Sequence, residues 1–268
     1  MNVFEDIGDV FIQQFAYVGG LSGQFWSGLL ALPSMLPITG KRDRWQSAIR
    51  QMAAIGVAAL PMIGIMALCA GFILALQGAA ELRRFGALRY VIDLVAIGFT
   101  RELGPLLTAI VVSGRSGSAF SAEIGTMMVT NEIDALRTMA LDPIEFVLAP
   151  KFLAALIMVP CLTIMCNVFG ILAGAGFMYL STKMTLGVYV RYVFDSIVLR
   201  DVFSGLVKSV AFAAIIVQVG CMEGFKVRGG PEAVGRATTS AVVKSTFLVI
   251  LADLFFTALF YLTGWSTS

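Results

Sequence analysis

Apolar and polar positions divide the chain into long apolar runs joined by short polar segments. Met52 to Gln77 holds no charged residue, and it exceeds the roughly 20 residues that a helix needs to cross a bilayer core. It predicts a first membrane span, bent at Pro61. Val91 to Gly114 predicts a second, with Asp93 near its start and the adjacent pair Arg101 and Glu102 at its centre, directly before Gly104-Pro105. Phe152 to Leu180 predicts a third, with Pro160 inside it and Gly170 and Gly174 at the four-residue spacing that lets another backbone approach closely. Val202 to Met222 predicts a fourth, with Lys208 near one end, where its stem can snorkel to the headgroups. Ser245 to Trp265 predicts a fifth, containing Asp253 and closed by the interface anchors Tyr261 and Trp265.

Amphipathic patterns lie between and before these runs. Phe4, Ile7, Phe11, Phe15 and Val18 recur at helical steps, and Phe25, Trp26, Leu29 and Leu32 repeat the pattern before Pro33 and Pro37 stop it. Residues 1–45 are therefore expected to lie along the membrane surface as an interfacial helical segment, and residues 46–268 to form one transmembrane domain. Between the second and third spans, Ile133, Leu136 and Ala140 share a face while Glu132, Asp134 and Arg137 stay polar, until Asp142-Pro143 ends the helix. Such a short helix either docks into a partner or lies on the membrane. Glu223 to Arg236, with Gly229-Gly230-Pro231, reads as a turn. The expected fold is an all-α polytopic membrane protein.

Composition agrees, with 58% hydrophobic and 13% charged residues and a mean hydropathy of +0.88, far from the balance of a soluble domain. Lys41, Arg42, Arg44 and Arg50 ahead of the first span place the N-terminus in the cytoplasm, and Arg137, Lys151, Lys226, Arg228 and Arg236 then fall on the same side. Arg83, Arg84, Arg89, Lys183, Arg191 and Arg200 in the opposing loops weaken that bias. The start of the chain is acidic at Glu5, Asp6 and Asp9, the reverse of a secretory signal, and is expected to be retained.

Several chemistries drop out. The chain has no histidine, the usual general base and commonest metal ligand, so neither catalysis nor a metal site is expected. Cys69, Cys161, Cys166 and Cys221 sit in apolar stretches without a C-x-x-C spacing and read as small hydrophobes. The net charge of +2 is scattered, which argues against a nucleic-acid partner. No phosphate-binding G-x-x-x-x-G-K-[ST] loop occurs, so an ATP-driven process would need another subunit to hold the nucleotide.

Arg101 and Glu102 are the conspicuous residues, because ionisable groups in the middle of a span usually face a bundle interior or a wet cavity. Adjacent residues point about 100° apart on a regular helix and cannot pair on one face. Either another helix supplies their partners or Gly104-Pro105 opens the backbone locally. Just beyond, Ser113, Gly117 and Ser121 form one row of small residues and Gly114, Ser118 and Ala122 the next, a smooth surface for tight packing or a subunit contact, with Arg115 and Glu123 set into it.

The order of Arg101-Glu102-Leu103-Gly104-Pro105, Gly114-Arg115-Ser116-Gly117-Ser118-Ala119, Ala122-Glu123-Ile124-Gly125, Asp142-Pro143, Pro150-Lys151-Phe152 and Arg236-Ala237-Thr238-Thr239 resembles the MlaE/YrbE permease family from the first span to near the C-terminus. The resemblance implies a permease of a bacterial inner-membrane ABC transporter that moves phospholipid between the inner membrane and the outer envelope and supports outer-membrane lipid asymmetry. It implies a homodimer, two cytoplasmic ATPase subunits that bind the ATP, a ring of MCE-domain proteins, and room for a small STAS-like accessory subunit; no cofactor resides in this chain. By the same resemblance Leu74, Gln77, Phe85, Arg101 and Glu102 line the lipid cavity, and Glu132, Asp134 and Arg137 on the coupling helix contact the ATPase. Two rivals stand beside it: an ion-coupled carrier or channel using Arg101, Glu102 and Asp253 as a charge relay, and a non-transporting membrane anchor.

Overall fold

The computed structural model describes residues 42–264. The interfacial segment expected over residues 1–45 falls, apart from its last residues, outside that range. Every regular element among the described residues is helical, and five helical segments are long and apolar enough to cross a membrane. The chain is an all-α polytopic membrane protein, as its hydropathy predicts.

Helix α1 runs without a break from Arg42 to Leu82, with Pro61 inside it. At 41 residues it is about 60 Å long by its rise, twice the hydrocarbon thickness, so it extends beyond the core or tilts within it. The second span is assembled from α2 (Tyr90–Gly98), α3 (Gly104–Val112) and α4 (Ser118–Val129), joined by wide π turns over Phe99–Leu103 and Ser113–Gly117. The first turn has a local cause. Pro105 has no N–H to offer, and the Gly104 N–H donates five residues back to the Phe99 carbonyl. The second is closed in the same manner by the Ser118 N–H on the Ser113 carbonyl. Such turns gather at functional sites because they re-aim the side chains they carry.

Asn131, at φ 59°, turns the chain into α5 (Glu132–Thr138). The Asp142 carboxylate then accepts the Ile144 N–H at 2.9 Å and leads, through a third π turn, into α6 (Ala149–Thr182). An amphipathic helix α7 (Leu186–Ser196) follows at the opposite end of the bundle, then α8 (Leu199–Phe225) and α9 (Pro231–Leu262). The turn expected over Glu223 to Arg236 is shorter than its polar composition suggests: α8 continues to Phe225 and α9 starts at Pro231. Glu223 is a buried member of α8, bonded to Ser240 and Lys244 of α9 at 2.6 and 2.9 Å.

Helix α1 packs along α6, and α8 sits at the centre against α4, α6 and α9. The α1–α6 contact depends on Gly71 and Gly170: a Cβ on Gly71 would stand 2.1 Å from the Gly170 carbonyl oxygen. The Phe99 ring fills the space over Gly170 in turn. Helix α7 is fastened by one face. The Tyr189 hydroxyl donates to the Ile171 carbonyl at 3.1 Å, Arg89 lies 4.3 Å over the Tyr192 ring, and Ser196 donates to Asp93. These positions, three to four residues apart, are one helical stripe.

Candidate functional site: a charged pocket between the second, fourth and last spans

The π turn of the second span carries Arg101 and Glu102 toward α8. Gly205 of α8 allows this, since a Cβ there would lie 2.1 Å from the Thr100 carbonyl oxygen. With the backbones that close, Asp201 and Lys208, one turn to either side of Gly205, reach the two charged side chains of the turn.

Arg101 places Nε and Nη2 each 2.6 Å from Asp201 Oδ1. The other oxygen of Asp201 accepts the Val198 N–H at 3.1 Å and caps the start of α8. Lys208 is 1% exposed, and its three ammonium donors all have acceptors: Glu102 Oε2 at 2.5 Å, Asp253 Oδ1 at 2.9 Å and Thr257 Oγ1 at 2.7 Å. The Thr257 hydroxyl stands 3.1 Å from Glu102 Oε1. One lysine thus joins the second span to the last through the fourth.

These groups surround a cavity of about 190 Å³ lined by Arg101, Glu102, Arg200, Asp201, Ser204, Lys208, Thr257, Phe260 and Tyr261. Its charged groups differ in access. The side chains of Glu102 and Arg101 are 39% and 30% exposed, whereas Asp201 is 3% exposed. Lys208 therefore does not snorkel, as its distance from the apparent end of the span suggested; helix α8 begins at Leu199 and aims Lys208 inward.

Of the residues expected at a lipid site, Arg101 and Glu102 line the cavity and Leu74, Gln77 and Phe85 do not. Leu74 is half-buried against the α2 backbone at Gly98, Gln77 is exposed on α1, and Phe85 is 80% exposed in the turn after α1. Asp201, Ser204 and Thr257 escaped the sequence reading. A signal was present, because Asp201, Ser204 and Lys208 repeat on one helical face, as do Asp253 and Thr257.

At the end of the bundle that carries α5, Ile133 and Leu136 are buried in the core while Glu132, Asp134 and Arg137 are exposed. Arg137 pairs with Asp134 at 3.1 Å and Thr130 donates to Glu132 at 3.0 Å. Beside them Lys151, 2% exposed, reaches Glu123 at 2.8 Å and holds α6 to α4.

Five spans, of which the second, the fourth and the last line a charged pocket near the start of α8 and the end of α9, with a polar helix at the other end, define a multi-pass membrane protein. The family described as Permease MlaE matches residues 48–259, and the chain belongs to it. It is 38% identical over 239 residues to a probable ABC transporter permease protein of Rickettsia typhi, covering 87% of this chain and 92% of that one. It is 34% identical over 248 residues to the chloroplastic protein trigalactosyldiacylglycerol 1 of Arabidopsis thaliana, covering 90% and 70%. It is 31% identical over 265 residues to the intermembrane phospholipid transport system permease protein MlaE of Haemophilus influenzae, covering 98% and 99%. The chain is accordingly a permease of the ABC transporter class.

Proposed function

We propose that this chain is the membrane permease of an ABC transporter in a bacterial inner membrane, moving phospholipid between that membrane and the outer envelope and so contributing to outer-membrane lipid asymmetry. The observation that carries the reading is the charged pocket, where the partly exposed Arg101 guanidinium stands as a donor for a phosphate. About 190 Å³ is less than the roughly 300–1,000 Å³ of sites that enclose a whole drug-sized ligand. The pocket therefore takes the headgroup, and the acyl chains lie along the exposed apolar side chains of the last span, such as Leu251, Leu254 and Phe255. A second copy of the chain closes the cavity over them, with Leu74, Gln77 and Phe85 contributing walls in that dimer.

Cytoplasmic ATPase subunits bind the ATP and seat α5 through Glu132, Asp134 and Arg137; an MCE-domain ring, and a small STAS-like subunit where one is encoded, complete the assembly. The relative from Haemophilus influenzae bears the name of a phospholipid transport permease, which supports the cargo. An ion-coupled carrier using Arg101, Glu102 and Asp253 draws on the same cluster, since Lys208 joins the carboxylates of Glu102 and Asp253. Reconstitution in vesicles with the cognate ATPase separates the two. Labelled phospholipid should move only with ATP; movement that follows an imposed ion gradient without ATP would refute the ABC reading.

A further inference from the structure

We infer that the charged pocket selects phospholipids whose headgroup pairs the phosphate with an amine, over headgroups that carry the phosphate charge alone. The inference rests on the phospholipid reading above and assigns the amine to Glu102, Phe260 and Tyr261.

Arg101, Arg200 and Lys208 line the cavity against Glu102 and Asp201, and Asp253, 2.9 Å from Lys208, supplies the third carboxylate. Three positive and three negative charges leave the site neutral. A guest entering the pocket loses part of its hydration, and a neutral site offers an anion no net attraction to offset that loss, whereas a guest of zero net charge can match it group by group.

Access decides which group meets which end. Glu102 is the most exposed carboxylate of the cluster, at 39%, against 17% for Asp253 and 3% for Asp201. If Glu102 turns to an incoming ammonium, Lys208 keeps Asp253 and Thr257 as acceptors, so no buried cation is stranded. Asp201 has no such freedom, because it holds both Arg101 and the first turn of α8. Phe260 and Tyr261 also line the cavity, and aromatic rings attract an ammonium through their faces where they offer a phosphate nothing. Arg101, paired with Asp201 yet 30% exposed, meets the phosphate.

The test is competitive binding to the purified full-length chain. Detergent-solubilised protein is equilibrated with vesicles of equal parts phosphatidylethanolamine and phosphatidylglycerol, reisolated, and its retained lipid measured by mass spectrometry. An exposed ammonium–carboxylate contact predicts about fivefold enrichment of phosphatidylethanolamine, falling to parity in Glu102→Gln. Retention of both lipids without preference overturns the inference and leaves the phospholipid reading intact. An enrichment that survives in a folded Glu102→Gln removes Glu102 as the amine's partner and overturns it as well. Retention of neither lipid overturns the headgroup site itself. The wild-type ratio decides alone if the variant does not fold.

Discussion

Lys208 of α8 and Asp253 of α9 face each other at 2.9 Å with the lysine closed off from the surface. Breaking a buried pair from one side costs more than removing it whole, because the partner stays charged in a poor solvent. Lys208→Met leaves both Glu102 and Asp253 without their cation, and a loss of about 3–5 kcal/mol is expected. Combining it with Glu102→Gln and Asp253→Asn should recover most of that loss. Thermal unfolding in detergent checks this; a single variant as stable as the triple would show that the lysine contributes no more than packing.

Arg101 and Asp201 form the companion pair, and the geometry changes what an arginine substitution means. Arg101→Ala removes a phosphate donor and also strands Asp201, so lost transport alone would not identify a headgroup role. The informative comparison is a double-mutant cycle with Arg101→Gln and Asp201→Asn. A coupling of about 1–3 kcal/mol in stability is expected for a close, charge-assisted contact, with transport absent in the double variant although its fold is restored. Transport recovering along with stability would confine Arg101 to a structural role.

Legibility in the sequence followed the physics of each feature. The five spans were plain because hydrocarbon sets a length and a charge limit that composition reveals directly. The partners of Arg101 and Glu102 were not, since charges placed one hundred residues apart meet only through the close approach of Gly205 to the second span. Lys208 was misplaced because distance from a span's end does not say which face a residue occupies. Asp201 stood one residue before the predicted start of the fourth span, where a carboxylate looks like loop. Helix α7 was passed over as a polar connection, although Tyr189, Tyr192, Val193 and Ser196 carry the spacing of a packed face. The short helix α5 was legible because its apolar and polar positions separate cleanly.

Gly205 gives a test of the site that touches no charge. A methyl at this position would sit 2.1 Å from the Thr100 carbonyl oxygen, so Gly205→Ala must push α8 away from the π turn. Overpacking of this kind costs about 1–3 kcal/mol, and the displacement weakens the Arg101 and Lys208 contacts together. Gly114 is the control, because nothing lies within 4 Å of its added Cβ. Gly205→Ala is expected to lower both the melting temperature and transport, and Gly114→Ala to leave the melting temperature unchanged. Equal melting temperatures would mean that the close approach is not limiting.

Helix α5 poses the remaining question, whether its exposed charges serve a partner. Ile133 and Leu136 anchor it to the bundle, so reversing Glu132 and Asp134 changes the outer face and leaves the buried one alone. Glu132→Lys with Asp134→Lys also leaves Arg137 without its carboxylate and gives the helix three cations in two turns, including its N-terminal end, where cations are disfavoured. Stability should change by about 1 kcal/mol at most, since the groups are solvent-exposed. Coupling should change far more. In a reconstituted complex, ATP hydrolysis is expected to continue or become unregulated while lipid movement stops, because the helix no longer seats in the ATPase. If hydrolysis and movement both persist in the wild-type ratio, the ATPase docks elsewhere on this chain.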